Sequence, residues 1–343
     1  MRPAHITAVI EQEFSSTRQG YHTPVMIWGP AGVGKSQIVA QVAESHDAAI
    51  VDIRLSQMEP SDLRGIPFKS GQKVEWAIPA MLPDAAVHGE AGILFIDEIT
   101  SAPPSVSAAA YQLILDRRLG EYRVPDQWAI VAAGNRQGDR GVTYNMPAPL
   151  ANRFSHYEVS VNLDDWAGWA YRNNIDERII AFLRFRSDLL FDFNPEHNPV
   201  AFPSPRSWEF AHRALHKFAD QPNLLLGGLE ACVGKAAGVE LFAFIQSLEN
   251  LPDIDAILRG ESQQCPDEVD LQFAVASALV TRAIRSGGDV AILGNILDYA
   301  NCFKQREMGV MLVSDLHRAI GSELFSLPQF ASWADRIGDI LVY

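Results

Sequence analysis

The sequence predicts an α/β fold built on a parallel sheet and continued by an all-helical half, and three observations carry this. Gly29 to Ser36 reads G-P-A-G-V-G-K-S. It lies between an apolar, strand-forming run (Pro24–Trp28) and a helical pattern from Ser36 to Ala43, the strand–turn–helix context of a phosphate-binding loop. Gly92 to Thr100 reads G-I-L-F-I-D-E-I-T, a buried strand that delivers two carboxylates to its C-terminal end, where ligands bind in open parallel sheets. Finally, strands alternate with helices up to about residue 162, and beyond it the chain reads as nearly all helix.

The elements follow in order. His5–Phe14 has the spacing of an amphipathic helix. Pro24–Trp28 is the first strand, Ala48–Leu55 the second. Ser56–Pro67 reads as a short interrupted helix, and Gly71–Ile78 as one arm of a small hairpin. Ile93–Ile96 is the third strand. Pro103–Asp116 is a helix whose early proline sits where a missing N–H costs little. Arg118–Trp128 suggests a second hairpin, Trp128–Ala133 the fourth strand, Pro147–Asn152 a short helix and His156–Val161 the fifth strand. Helices are then expected at Asp176–Asp188, Ser204–Phe218, Leu229–Leu248 and Asp270–Arg285, the last stopped by Gly287-Gly288. The expected division is an α/β nucleotide-binding domain at 1–162, a helical lid at 163–261 and a helical extension at 262–343.

Composition narrows the function classes. Over 343 residues, 48% apolar and 20% charged are ordinary globular values. No apolar run approaches the roughly 20 residues of a membrane span, and the N-terminus lacks the apolar core of a secretory signal. Three scattered cysteines read as reduced residues of a cytoplasmic protein. The net charge of −14 repels nucleic acid on average. Residues 221–343 hold 16 Asp/Glu against 8 Lys/Arg, so much of that excess is C-terminal.

The chemistry expected of the two motifs is specific. Gly29, Pro30, Ala31, Gly32, Val33, Gly34, Lys35, Ser36 and Gln37 are the candidate ATP-binding residues. Glycines let successive N–H groups point at one anion, and the helix N-terminus adds positive potential. Lys35 reaches the β- and γ-phosphates, and the Ser36 hydroxyl coordinates Mg²⁺. Asp97 supports that Mg²⁺ shell. Glu98 is placed to polarise a water for in-line attack. Two adjacent carboxylates at the end of a buried strand must be solvated or metal-paired.

With these two motifs together the chain resembles the AAA+ ATPases, and the resemblance, over about residues 20–260, implies further parts. Trp128–Arg136 (W-A-I-V-A-A-G-N-R) matches a strand ending in sensor 1, which makes Asn135 a candidate for holding the attacking water or γ-phosphate. Pro149–Phe154 (P-L-A-N-R-F) resembles the segment carrying the arginine finger, so Arg153 is implied to act on a neighbouring subunit's nucleotide; Arg136 and Arg140 are rivals. Ser204–Phe210 (S-P-R-S-W-E-F) resembles sensor 2, with Arg206 reaching back to the γ-phosphate. Glu59–Pro67 and the Gly71–Ile78 hairpin are similar to the helix-2 insert of the MoxR and dynein-related group, although the residues after Asn135 lack that group's common Asn-Pro pair.

From this resemblance follow Mg-ATP hydrolysis, a homo-oligomeric, hexameric ring, remodelling of a protein target, and a von Willebrand factor A domain partner. The alternatives are a nucleotide-gated scaffold with weak hydrolysis, a DNA-directed motor, which the acidic charge disfavours, and a small-molecule kinase, which leaves Glu98, Asn135 and Arg153 unexplained. His212 and His216 have zinc-compatible spacing but no nearby third ligand in sequence. Trp166, Trp169 and Tyr171 read as packing between sheet and lid, and Trp76 either as a partner contact or as packing on its own domain.

Overall fold

A computed structural model describes residues 1–136, 138, 139, 144–194 and 200–337. The chain divides into two compact units, Met1–Val161 and Asn162–Tyr343. No helix among the described residues is long and apolar enough to cross a membrane.

The first unit runs α1 (Pro3–Thr17), β1 (Val25–Trp28), α2 (Lys35–Ser45), β2 (Ala49–Arg54), α3 (Pro60–Arg64), β3 (Ile66–Ser70), β4 (Lys73–Ala77), α4 (Ala85–His88), β5 (Ala91–Asp97), α5 (Pro104–Asp116), β6 (Arg118–Leu119), β7 (Tyr122–Arg123), β8 (Gln127–Gly134), α6 (Ala148–Ala151) and β9 (Ser155–Glu158). Five strands form one parallel sheet in the order β2-β5-β8-β1-β9. Its central strands are buried on both faces, which is why Ile93–Ile96 and Trp128–Ala133 are unbroken apolar runs. The fifth strand is shorter than the expected His156–Val161. Trp28 pairs with Glu158, and there β1 turns into the phosphate loop, leaving Val161 no partner strand. The insert hairpin pairs β3 with β4, Phe68 opposite Glu75, and leaves Trp76 43% exposed.

The second unit is helical: α7 (Leu163–Arg172), α8 (Glu177–Phe185), α9 (Pro205–Lys217), α10 (Pro222–Val233), α11 (Lys235–Ser247), α12 (Ile254–Leu258), α13 (Val269–Arg285), α14 (Val290–Tyr299), α15 (Arg306–Ile320) and α16 (Pro328–Ile337). The helix expected over Leu229–Leu248 is in fact two. Gly234, at φ 86°, ends α10 and starts α11 in a conformation that side-chain-bearing residues rarely adopt. Trp166 and Tyr171 are buried in α7.

Helices of 262–343 pack on those of 163–261, α13 against α8 and α15 against α7. An ion cluster, buried at Arg184 and Asp315 and open to solvent at Asp164 and Arg318, joins them. Arg184 on α8 pairs with Asp164 on α7 at 2.6 Å and with Asp315 on α15; Arg318 pairs with the same two carboxylates at 3.2 and 3.1 Å. Asp315 is 2% exposed. Burial raises its carboxyl above the usual range even with two guanidiniums opposing. Arg184 and Asp315 are the buried pair of the cluster, and removing one of them leaves the other's charge buried with less compensation, at about 3–5 kcal/mol. Asp315→Ala is therefore expected to lower the stability of the helical unit by about 3–5 kcal/mol in urea denaturation; an unchanged midpoint would show that water reaches the cluster.

Candidate active site

The phosphate loop begins where β1 ends. Gly32 and Gly34 have φ of 83° and 93°, the left-handed region that glycine enters without steric cost. Gly34 is also the N-cap of α2 and has no side chain to occupy the first-turn amides, so that turn is open to an anion and carries the positive end of the helix dipole. Gly29, Pro30 and Val33 are buried beneath the loop, while Ala31 and Gln37 are exposed. Lys35 is only 8% exposed. Its ammonium donates to Gly29 O (2.6 Å), Pro30 O (2.9 Å) and the Asn135 side-chain oxygen (3.0 Å). The lysine is thus poised over the loop and tied to Asn135, 100 residues away.

Asp97 closes β5. The Ser36 hydroxyl donates to its Oδ2 at 2.9 Å, and the Glu98 N–H donates to its Oδ1 at 2.8 Å. A hydroxyl and a carboxylate converging in this way are the hard oxygen donors that Mg²⁺ takes beside phosphate oxygens and water, so Ser36 and Asp97 fit that ion. Glu98 has φ 55° and ψ 32°. A non-glycine residue there is uncommon, and such conformations concentrate at functional sites. Its carboxylate accepts a hydrogen bond from the Ser56 hydroxyl, in the turn Leu55–Gln57 that follows β2. Nearby, burial raises the Asp52 carboxyl; Arg54 opposes this, and the like charges of Asp97 and Glu98 add to it. The Asn135 backbone is pinned by Thr100, whose Oγ1 accepts from Asn135 N–H at 3.2 Å.

Ser56 and Thr100 were not identified from sequence. Ser56 meets Glu98 because β2 lies beside β5 in the sheet, and no local pattern encodes that adjacency.

The arginines separate clearly. Arg153 follows α6 on a turn, its N–H donating to Leu150 O at 3.0 Å and its exposed guanidinium making no hydrogen bond or ion pair among the described residues. Arg136 is held by Asp139 at 2.9 Å and by Glu158, and these carboxylates raise its pKa. Arg140 lies outside the described residues. Arg206 belongs to the second unit. It is exposed in the first turn of α9, likewise without a bonded partner among the described residues.

The histidine pair acquires a third potential donor that sequence spacing does not show. Ligand atoms of Asp176, His212 and His216 lie within 4.8 Å of one another. Two of the three, Asp176 and His212, already have structural work. Asp176 caps α8 through Arg178 N–H (3.0 Å), and its two oxygens take the Arg178 guanidinium at 2.9 and 2.7 Å. Burial works against that carboxylate's charge, and Arg178 outweighs it, leaving the pKa below the ordinary value. His212 Nδ1 accepts the Asp176 N–H at 3.0 Å, which uses the lone pair a metal ion needs.

Residues 24–154 match the AAA domain family, dynein-related subfamily. Midasin of Giardia intestinalis is 26% identical over 161 residues, which are 45% of this chain and 3% of that protein; the chain thus spans a small fraction of the relative's length. A solved RuvB mutant of Thermotoga maritima is 14% identical over 80% of this chain and 82% of that one, with a TM-score of 0.35. Residues 24–154 are thus similar to the dynein-related AAA domain, and they place a phosphate-binding loop on a five-stranded parallel sheet.

Proposed function

We propose that the protein is a Mg²⁺-dependent ATPase that assembles into a ring, six-membered by family resemblance, and uses hydrolysis to remodel a protein target. The observation that carries this reading is the convergence of Lys35, Ser36, Asp97, Glu98 and Asn135 at the carboxyl ends of the adjacent strands β5, β8 and β1.

Each group then has a task. The loop amides and the α2 terminus bind the triphosphate, and Lys35 exchanges its carbonyl partners for phosphate oxygens. Ser36 and Asp97 hold Mg²⁺, which when bound neutralises charge developing on the bridged phosphates. Glu98 accepts the proton of the attacking water, and Asn135 orients that water or the γ-phosphate. Arg153 is offered to the next protomer; its exposure and lack of partners support this role. Arg206, equally unpaired, reaches back from the helical half as a sensor of the γ-phosphate, with residues 163–261 acting as the lid and 262–343 as its extension.

The proposal extends to a MoxR-type activator working with a von Willebrand factor A domain partner, for which the exposed β3–β4 hairpin offers a surface. The three free cysteines suit a reducing, cytoplasmic setting. Phosphate release from Mg-ATP, followed with and without EDTA, tests the core of the reading. Chelation is expected to bring turnover to background and reversibly so on adding Mg²⁺. Turnover that persists in EDTA would overturn the assignment of Ser36 and Asp97.

A further inference from the structure

We infer that His156 is a positioning residue that clamps the turn bearing Arg153 to the base of the phosphate loop in the same protomer. His156 lies on β9 in register with Met26 of β1. Trp28, two residues further along β1, is its diagonal neighbour on the same face of the sheet. The rings lie edge to edge, centroids 5.9 Å apart and planes within 20° of parallel. The Trp28 indole N–H donates to His156 Nδ1 at 2.9 Å. With Nδ1 accepting, the neutral imidazole carries its proton on Nε2. That nitrogen lies 2.8 Å from Ala151 O, so it donates there. Both ring nitrogens are therefore engaged, and one tautomer satisfies both contacts.

The two contacts join segments of different function. Trp28 is bonded to Gly29, whose carbonyl receives the Lys35 ammonium. Ala151 is the last residue of α6, and its carbonyl also accepts Phe154 N–H at 3.2 Å, closing the turn that holds Arg153. Leu150 and Phe154 on either side of the turn are buried, so the imidazole sets the remaining freedom of an otherwise exposed segment. A guanidinium that must meet another subunit's phosphate depends on such placement, because a displacement of about 1 Å at a catalytic group costs up to about 10²-fold in rate.

This inference rests on the reading that Arg153 acts in trans, and mixed rings separate the two. An Arg153→Ala protomer keeps its own site but offers no finger. A Glu98→Gln protomer offers the finger but has no base. Neither alone should turn over ATP, and their mixture should recover activity where an R153A site faces an E98Q neighbour. The donor is then also given His156→Phe, which keeps an aromatic ring at the position and removes both hydrogen bonds. Recovered kcat is expected to fall about tenfold or more, with KM for ATP unchanged, since the sites that turn over retain a native loop. His156→Gln, whose amide can accept from Trp28 and donate to Ala151, should restore it. Trp28→Phe in the donor, cutting the clamp from the other side, should repeat the loss. Full rescue by both H156F and W28F donors overturns the positioning role. Absence of rescue by the plain E98Q donor overturns the trans-arginine reading instead.

Discussion

Arg153→Ala is expected to lower kcat for ATP by about 10³-fold to 10⁵-fold, the range seen when a phosphoryl-transfer site loses its arginine finger. Nucleotide affinity should change little, because the residue touches none of Gly29–Ser36 in its own chain and acts on charge that develops only in the transition state. The structure supports the choice of Arg153 over Arg136. Arg136 is committed to Asp139 and Glu158 within its own unit, and withdrawing it would leave two carboxylates without their cation. Arg136→Ala is accordingly the control, expected to remain within a few-fold of wild type on the ordinary scale of exposed ion pairs. Steady-state phosphate release alongside titration with a fluorescent nucleotide gives both quantities. Turnover within threefold of wild type for R153A would remove the residue from the mechanism.

Glu98→Gln should cost about 10²-fold to 10⁴-fold in kcat, the usual contribution of a positioned general base, while binding of Mg-ATP is kept. The substitution is nearly isosteric, and its amide oxygen still accepts from the Ser56 hydroxyl that holds Glu98. The left-handed backbone at this position is also compatible with glutamine to the same degree as with glutamate. The change is therefore confined to proton transfer. Single-turnover measurement distinguishes it from slow product release, since a lost base slows the chemical step itself. An E98Q protein that hydrolyses ATP at the wild-type rate would assign the base elsewhere. The trapped, ATP-bound form is the species in which a protein target should be retained on pull-down.

Much of this site was legible in the linear sequence, and the reason is local. Gly29–Ser36 forms its loop from consecutive residues, so glycine spacing and a following helix suffice to identify it. Asp97 and Glu98 end a strand buried on both faces, and such strands show themselves as unbroken apolar runs such as Ile93–Ile96. The strand–helix alternation determined the α/β class, and the change near residue 162 marked where it stops. Contacts between distant segments had no such signature. Ser56 with Glu98, Lys35 with Asn135 and Trp28 with His156 are separated by 42, 100 and 128 residues, and each depends on which strand lies beside which. The same holds for Asp176 beside His212 and for Arg184 beside Asp315, where helices meet. Residue type and spacing thus determined the loop and the strand-end carboxylates on which the proposed phosphate chemistry rests. The sheet order β2-β5-β8-β1-β9 and the helix packing decided which side chains hold that chemistry in place, because side-chain neighbours across a sheet or between helices are set by tertiary register rather than by distance along the chain.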